Sequence, residues 1–120
     1  TTGVKLVLQP QSEIPLVRQK IHELGYKIDE EDMLIDEDEI YNIIVATQGK
    51  ESYDNTLFYQ YGKKLIENKN EILITFLLKR RSTLENILRS LEKKQTTKSL
   101  LRMEEIRVEL RTIEEVLQCL

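Results

Sequence analysis

At 120 residues, 40% hydrophobic and 32% charged, the chain carries enough apolar side chains for one modest core and too many for an intrinsically disordered segment. Its longest apolar stretch, residues 72–78 with Thr75 inside it, falls far short of the roughly 20 residues a membrane-spanning helix needs. No signal-like leader opens the sequence and the single Cys119 excludes an internal disulfide, so a cytoplasmic setting without a membrane partner is expected. The net charge of −3 divides unevenly: residues 1–61 hold 5 basic against 12 acidic residues (−7), and residues 62–120 hold 13 against 9 (+4).

Residues 4–8, Val-Lys-Leu-Val-Leu, form a short apolar run rich in β-branched side chains, as expected of an interior strand covered on both faces of an α/β sheet. Pro10 ends it, Ser12 is placed to cap a helix, and Pro15 is tolerable in a first turn whose amides lack acceptors. Ile14, Val17, Ile21 and Leu24 recur at helical spacing, and Gly25 can close the helix in a left-handed conformation. A second strand runs from Tyr26 to Ile35 with an irregularity expected near Glu30. After the polar turn at residues 36–39 a third strand follows over 40–47, the antiparallel hairpin partner of the second. One helix on three strands leaves a face and an edge uncovered, so strand 4–8 calls for neighbours outside this sequence. The chain is thus expected to be the tail of a larger enzyme, preceded by a missing N-terminal part.

Residues 51–69 read as an aromatic linker that packs, with Tyr53, Phe58, Tyr59 and Tyr61 in it. Packing is the expected role of these rings, with stacking on a nucleobase the sharper alternative. Two helical patterns fill residues 70–120, joined only by Gln95-Thr96-Thr97, which forces an antiparallel pair. Met103, Ile106, Leu110, Ile113, Leu117 and Leu120 alternate three and four apart as a coiled-coil seam. In the first helix Leu73, Leu77, Leu84, Ile87 and Leu91 do the same, with Arg80 interrupting. The division is therefore α/β elements over 1–50, linker over 51–69 and helical hairpin over 70–120.

The richest charge feature is the window 79–102. Lys79, Arg80, Arg81, Arg89, Lys93, Lys94, Lys98 and Arg102 face only Glu85 and Glu92, a balance of +6. Basic side chains spaced along a helix pair neutralise phosphates without reading sequence, which makes these eight the RNA-binding candidates. Coiled coils also display charged flanks, and five glutamates balance much of the second helix. Gln9, Pro10 and Gln11 follow the carboxyl end of a strand, where open α/β sheets place ligands, and are the substrate-side candidates; capping of the strand and helix is the plainer role. His22 lies beside the apolar stripe with no ligand cluster and is expected on the surface or in packing. Cys119 has no neighbouring base to activate it, and the acidic run 29–39 lacks the pattern of a calcium loop, so no metal is expected.

Leu6-Val7-Leu8-Gln9-Pro10-Gln11, Arg18, Gly25, Asp38-Glu39-Ile40-Tyr41, Tyr61-Gly62 and Leu65 resemble, in that order, the C-terminal half of the bacterial TrmK family, the tRNA (adenine-22-N1)-methyltransferases. The family more usually has Asn where this chain has Gln11. The resemblance implies a Rossmann-like class I methyltransferase sheet whose fifth, sixth and seventh strands lie here, the seventh antiparallel, followed by an antiparallel two-helix coiled coil. It implies S-adenosylmethionine as cofactor of the parent protein, held by a glycine-rich loop and an acidic residue that this chain lacks, so the fragment should bind no cofactor and should not catalyse alone. Its partners would be tRNA and the missing N-terminal part, with self-association possible through exposed sheet or coiled coil. The catalytic residue is unknown on this reading. The rival reading is a free-standing coiled-coil module for interaction or dimerisation, in whose favour Arg80 in the seam counts.

Overall fold

The computed structural model describes residues 4–120. In chain order it holds strand β1 (Lys5–Leu8), helix α1 (Ile14–Glu23), strands β2 (Tyr26–Asp36) and β3 (Glu39–Gln48), a π-helical turn (Phe58–Gly62), and helices α2 (Lys63–Glu67), α3 (Glu71–Glu92) and α4 (Thr97–Cys119). The chain divides into two compact units, one ending at Leu73 and the other running from Ile74 to Leu120.

In the first unit the sheet order is β1-β3-β2, with β3 antiparallel to both neighbours, so β1 and β2 run parallel to each other. The hairpin expected from the acidic turn is present, and its two-residue loop holds Glu37 (φ 50) and Asp38 (φ 67) in the left-handed region. A tight hairpin loop demands positive φ at both positions, which glycine or asparagine would meet with less strain. The expected irregularity is a β-bulge between Ile28 and Glu30. Because strand side chains alternate, one extra residue reverses which of them point inward. Ile28 pairs with Ala46 before the bulge and Glu31 with Ile44 after it, so Asp29 takes up the offset and Glu31, not Glu30, is the buried acid.

One face of the sheet packs on α1: Ile21, Ile28, Ile44, Ala46 and Tyr53 form the centre, with Leu6, Leu8, Ile14 and Val17 around it. The interior position expected of strand β1 depends on neighbours outside this sequence. Within the described sheet it is a border strand, paired only with β3, and Val4 and Val7 are 54% and 63% exposed. Nothing among the described residues covers those valines, so the strand's apolar composition is unmatched by its surroundings in this chain. Helix α1 also corrects two details. Glu13 (φ 53), not Ser12, occupies the capping position and makes no side-chain cap, and Leu24 is exposed at the end of the stripe while Arg18 is buried within it. Gly25 does close the helix with φ +84, and its carbonyl accepts the Gly49 N–H at 2.9 Å.

Residues 58–67 are helical and belong to the first unit, where the sequence reads as a linker. Helix α2 stops where Lys69 turns left-handed (φ 51), and the Asn70 carboxamide then accepts the Leu73 N–H at 3.0 Å, capping α3. In the second unit the turn into α4 is fixed by reciprocal bonds of Thr96 and Ser99, each about 3.1 Å, and by the Ser99 hydroxyl donating to the Lys94 carbonyl at 2.6 Å. Leu77, Leu84, Met103, Ile106, Ile113 and Val116 are buried; Val116, absent from the expected seam, lies deeper than Leu110 and Leu117. Among the described residues no helix is long and apolar enough to cross a membrane.

Candidate functional site

Gln9 and Gln11 are exposed and Pro10 is half-buried, in the irregular segment that joins the carboxyl end of β1 to α1. The segment is thus accessible in this chain. Two buried polar clusters lie elsewhere in the same unit.

In the first cluster the Arg18 guanidinium donates to Glu31 Oε1 at 2.9 Å and to the backbone carbonyls of Tyr59 (2.7 Å) and Gln60 (3.1 Å). Both charged side chains are almost wholly buried. Arg18 thereby ties α1 and β2 to the π-helical turn. Gly62 (φ +95) completes the arrangement, since a Cβ there would sit 2.9 Å from the guanidinium and 3.0 Å from both Glu31 oxygens. Burial pushes the Glu31 carboxyl above its ordinary value, with the Arg18 charge opposing. A hint of this pair is available in the sequence, because Arg18 falls four residues after Ile14 and three before Ile21, on the apolar stripe itself.

The second cluster centres on His22. Its Nδ1 lies 2.8 Å from the Tyr59 hydroxyl and its Nε2 2.8 Å from Glu51 Oε1, and Glu51 also accepts the Ile28 N–H at 2.9 Å. The Tyr59 oxygen also accepts the Tyr53 N–H at 3.2 Å. Tyr53 packs edge-on against His22 and Phe58, and the Lys63 ammonium stands 5.6 Å from the Phe58 ring centroid. His22 is therefore a packing histidine, and these aromatics hold the fold together. Desolvation raises the Tyr53 phenol.

On the sheet's other face a groove of about 500 Å³ is lined by Glu30, Asp32, Ile43, Val45, Asn68 and Asn70 among others. Asn70 donates to Asp32 at 3.2 Å across it. Among the described residues no group of three or more His, Cys, Asp or Glu is placed to hold a metal.

The basic residues of the second unit fall into two sets. Arg80 makes a bidentate bond to Glu109 (2.7 and 3.0 Å) and Arg81 meets Glu114 at 2.7 Å, so both serve to join α3 to α4. Arg102 pairs with Glu105 at 3.2 Å, and Arg89 donates to Asn86. Lys79, Lys93, Lys94 and Lys98 are exposed, the last three about the turn between the helices. The first turn of α4 carries Lys98 and no acid, the reverse of what the helix dipole favours.

A holder for a nucleoside cofactor needs a glycine-rich loop opening a helix. The described glycines serve other ends: Gly25 closes α1, Gly49 backs onto the Lys27 stem and Gly62 admits Arg18 and Glu31. The described residues do not form a holder of this kind for S-adenosylmethionine.

The first unit is thus a mixed α/β arrangement, a three-stranded sheet with a helical crossover between its parallel strands and an antiparallel strand between them. A Streptococcus agalactiae protein of the NADB-Rossmann superfamily shares this fold with a TM-score of 0.71 at 22% identity, over 94% of this chain and 47% of its own. The model of the TrmK family, tRNA (adenine(22)-N(1))-methyltransferase, matches residues 1–115, and the chain belongs to that family. A Listeria monocytogenes serotype 4b protein described as uncharacterized has TM-score 0.84 at 21% identity (94% of this chain, 50% of that one). TrmK of M. capricolum, solved with the cofactor product S-adenosyl-homocysteine, has 0.77 at 22% (96% and 49%). The chain thus spans about half the length of the solved structures it matches. No curated protein matches it.

Proposed function

We propose that the chain is the C-terminal portion of an S-adenosylmethionine-dependent tRNA (adenine-22-N1)-methyltransferase. The single observation that carries this is the family match over residues 1–115 on a chain about half as long as its solved relatives. On this reading the missing half completes the sheet beside β1, where Val4 and Val7 stand uncovered, and supplies the cofactor site. The S-adenosyl-homocysteine bound to the M. capricolum relative supports that cofactor.

Gln9, Pro10 and Gln11 then form part of the substrate side. The Gln9 and Gln11 carboxamides position the adenine ring by hydrogen bonds rather than react with it. Helices α3 and α4 form an antiparallel coiled coil, and its basic residues hold tRNA phosphates. Arg80 speaks less for a free-standing interaction module than the sequence suggests, because its charge is met by Glu109 of the same chain. Self-association of the isolated chain through its uncovered sheet face is expected on sedimentation.

The test of the arm is the salt dependence of tRNA binding by the intact protein. Replacing Lys79, Lys93, Lys94 and Lys98 with Ala should weaken binding and lower the slope of log K against log salt by up to about 0.9 for each phosphate no longer neutralised. Arg80 and Arg81 are poor choices, since their replacement also breaks the links to Glu109 and Glu114. An unchanged slope overturns the RNA-binding role.

A further inference from the structure

The turn end of the second unit carries more than charge. Leu100 and Leu101 are 57% and 64% exposed, large aliphatic side chains in the first turns of α4. Around them in sequence stand Lys93, Lys94, Lys98 and Arg102. The bonds of Ser99 to Thr96 and Lys94 fix the turn, so the leucines and lysines are presented on a rigid support.

Phosphate binding accounts for the cations and leaves the leucines unexplained. A double-stranded RNA helix offers them no base faces: its major groove is deep and narrow, and its minor groove displays 2′-hydroxyls and base edges while the faces stay stacked. Unpaired bases in loops and junctions do offer such faces, each a broad apolar surface that stacking partners cover. We propose that this end of the hairpin recognises unpaired nucleobases of the folded RNA, Leu100 and Leu101 packing on base faces while Lys93, Lys94 and Lys98 hold the flanking phosphates. This rests on the RNA-binding reading of the arm and narrows it from the RNA backbone to its loops. Charge favours RNA as the occupant, since a second copy's equally basic tip would be repelled.

The test uses the intact protein and two probes, an unmodified tRNA transcript and a fully paired RNA duplex of similar length. Leu100→Ala with Leu101→Ala keeps helix propensity, so α4 should persist, as circular dichroism and an unchanged melting temperature would confirm. The double variant should lose roughly ten- to a hundredfold in affinity for the transcript, from apolar area left uncovered. Its salt slope and its affinity for the duplex should not change. A variant that binds both probes like the parent, or weakens on both alike, overturns the proposal. So does a parent whose sedimentation coefficient drops on the leucine substitutions, because the leucines would then be buried in a second copy. Lys93, Lys94 and Lys98 changed together to Ala separate the two layers. If they matter and the leucines do not, only the base-recognition proposal fails. If neither set matters, the RNA-binding reading itself fails.

Discussion

Arg18→Met keeps the long stem of the side chain and removes its guanidinium, leaving Glu31 buried without its counter-charge and the carbonyls of Tyr59 and Gln60 without their donor. Breaking a buried ion pair from one side costs about 3–5 kcal/mol, a large part of the about 5–15 kcal/mol that holds a domain folded. Removing both charges, as Arg18→Met with Glu31→Leu, abolishes the unpaired carboxylate and should recover at least about 2 kcal/mol of that loss. All five tyrosines lie in the first unit and the chain has no tryptophan, so tyrosine fluorescence during urea unfolding reports on that unit. The midpoint should fall with an unchanged slope.

The pH dependence supplies a second reading of the same variant. Burial already raises the Glu31 carboxyl above its ordinary 4.5, and loss of Arg18 removes the charge that opposed it. An acid with a raised folded-state pKa loses stability as pH climbs from its unfolded value through its folded one. The deficit of Arg18→Met should therefore grow above about pH 4.5, on top of a pH-independent part from the two carbonyls left without their donor. A loss under about 1 kcal/mol at neutral pH, or a double variant as unstable as the single one, would refute the reasoning.

Three other outcomes are expected. Changing Glu37-Asp38 to Asn-Gly should raise the stability of the first unit by about 1 kcal/mol, read as a higher urea midpoint, because both residues now hold positive φ. Hydrogen bonds from Lys27 and then Thr47 hold the Asp29 carboxyl below its ordinary 3.8. Its contribution is present above that pH and lost as pH falls through the lowered value, so the stability gap between the parent and Asp29→Asn should close in acid below pH 3.8. Calorimetric titration of this 120-residue chain with S-adenosylmethionine should give no specific heat, and micromolar binding would show that the cofactor site lies here after all.

Local signals are legible where one side chain or one spacing decides the outcome. Gly25 announces the end of α1, the acidic turn announces the hairpin, and acidic residues inside an otherwise apolar strand announce the bulge. What escapes depends on long-range packing. The place of Arg18 on the apolar stripe hints at burial, but its partners, Glu31 brought inward by the bulge and the carbonyls of Tyr59 and Gln60, are distant in sequence. The π-helical turn escapes because its mixed polar and aromatic sequence has no helical period, and its carbonyls are held by Arg18 rather than by capping residues of its own. Val116 displaces Leu117 from the deepest position because a 3.6-residue turn drifts against a strict heptad. Strand β1 is legible as a strand, and a free edge within this chain follows from one helix on three strands, whereas its apolar composition suits an interior position.

The most direct measurement is methyl transfer by the intact protein that contains this chain. Unmodified tRNA incubated with it and S-adenosylmethionine, then mapped by reverse-transcription stops and nucleoside mass spectrometry, should carry N1-methyladenine at position 22 and nowhere else, and a transcript with guanine at that position should stay unmodified. Methylation at another adenine, or none under conditions in which the protein is folded and binds tRNA, would contradict the account.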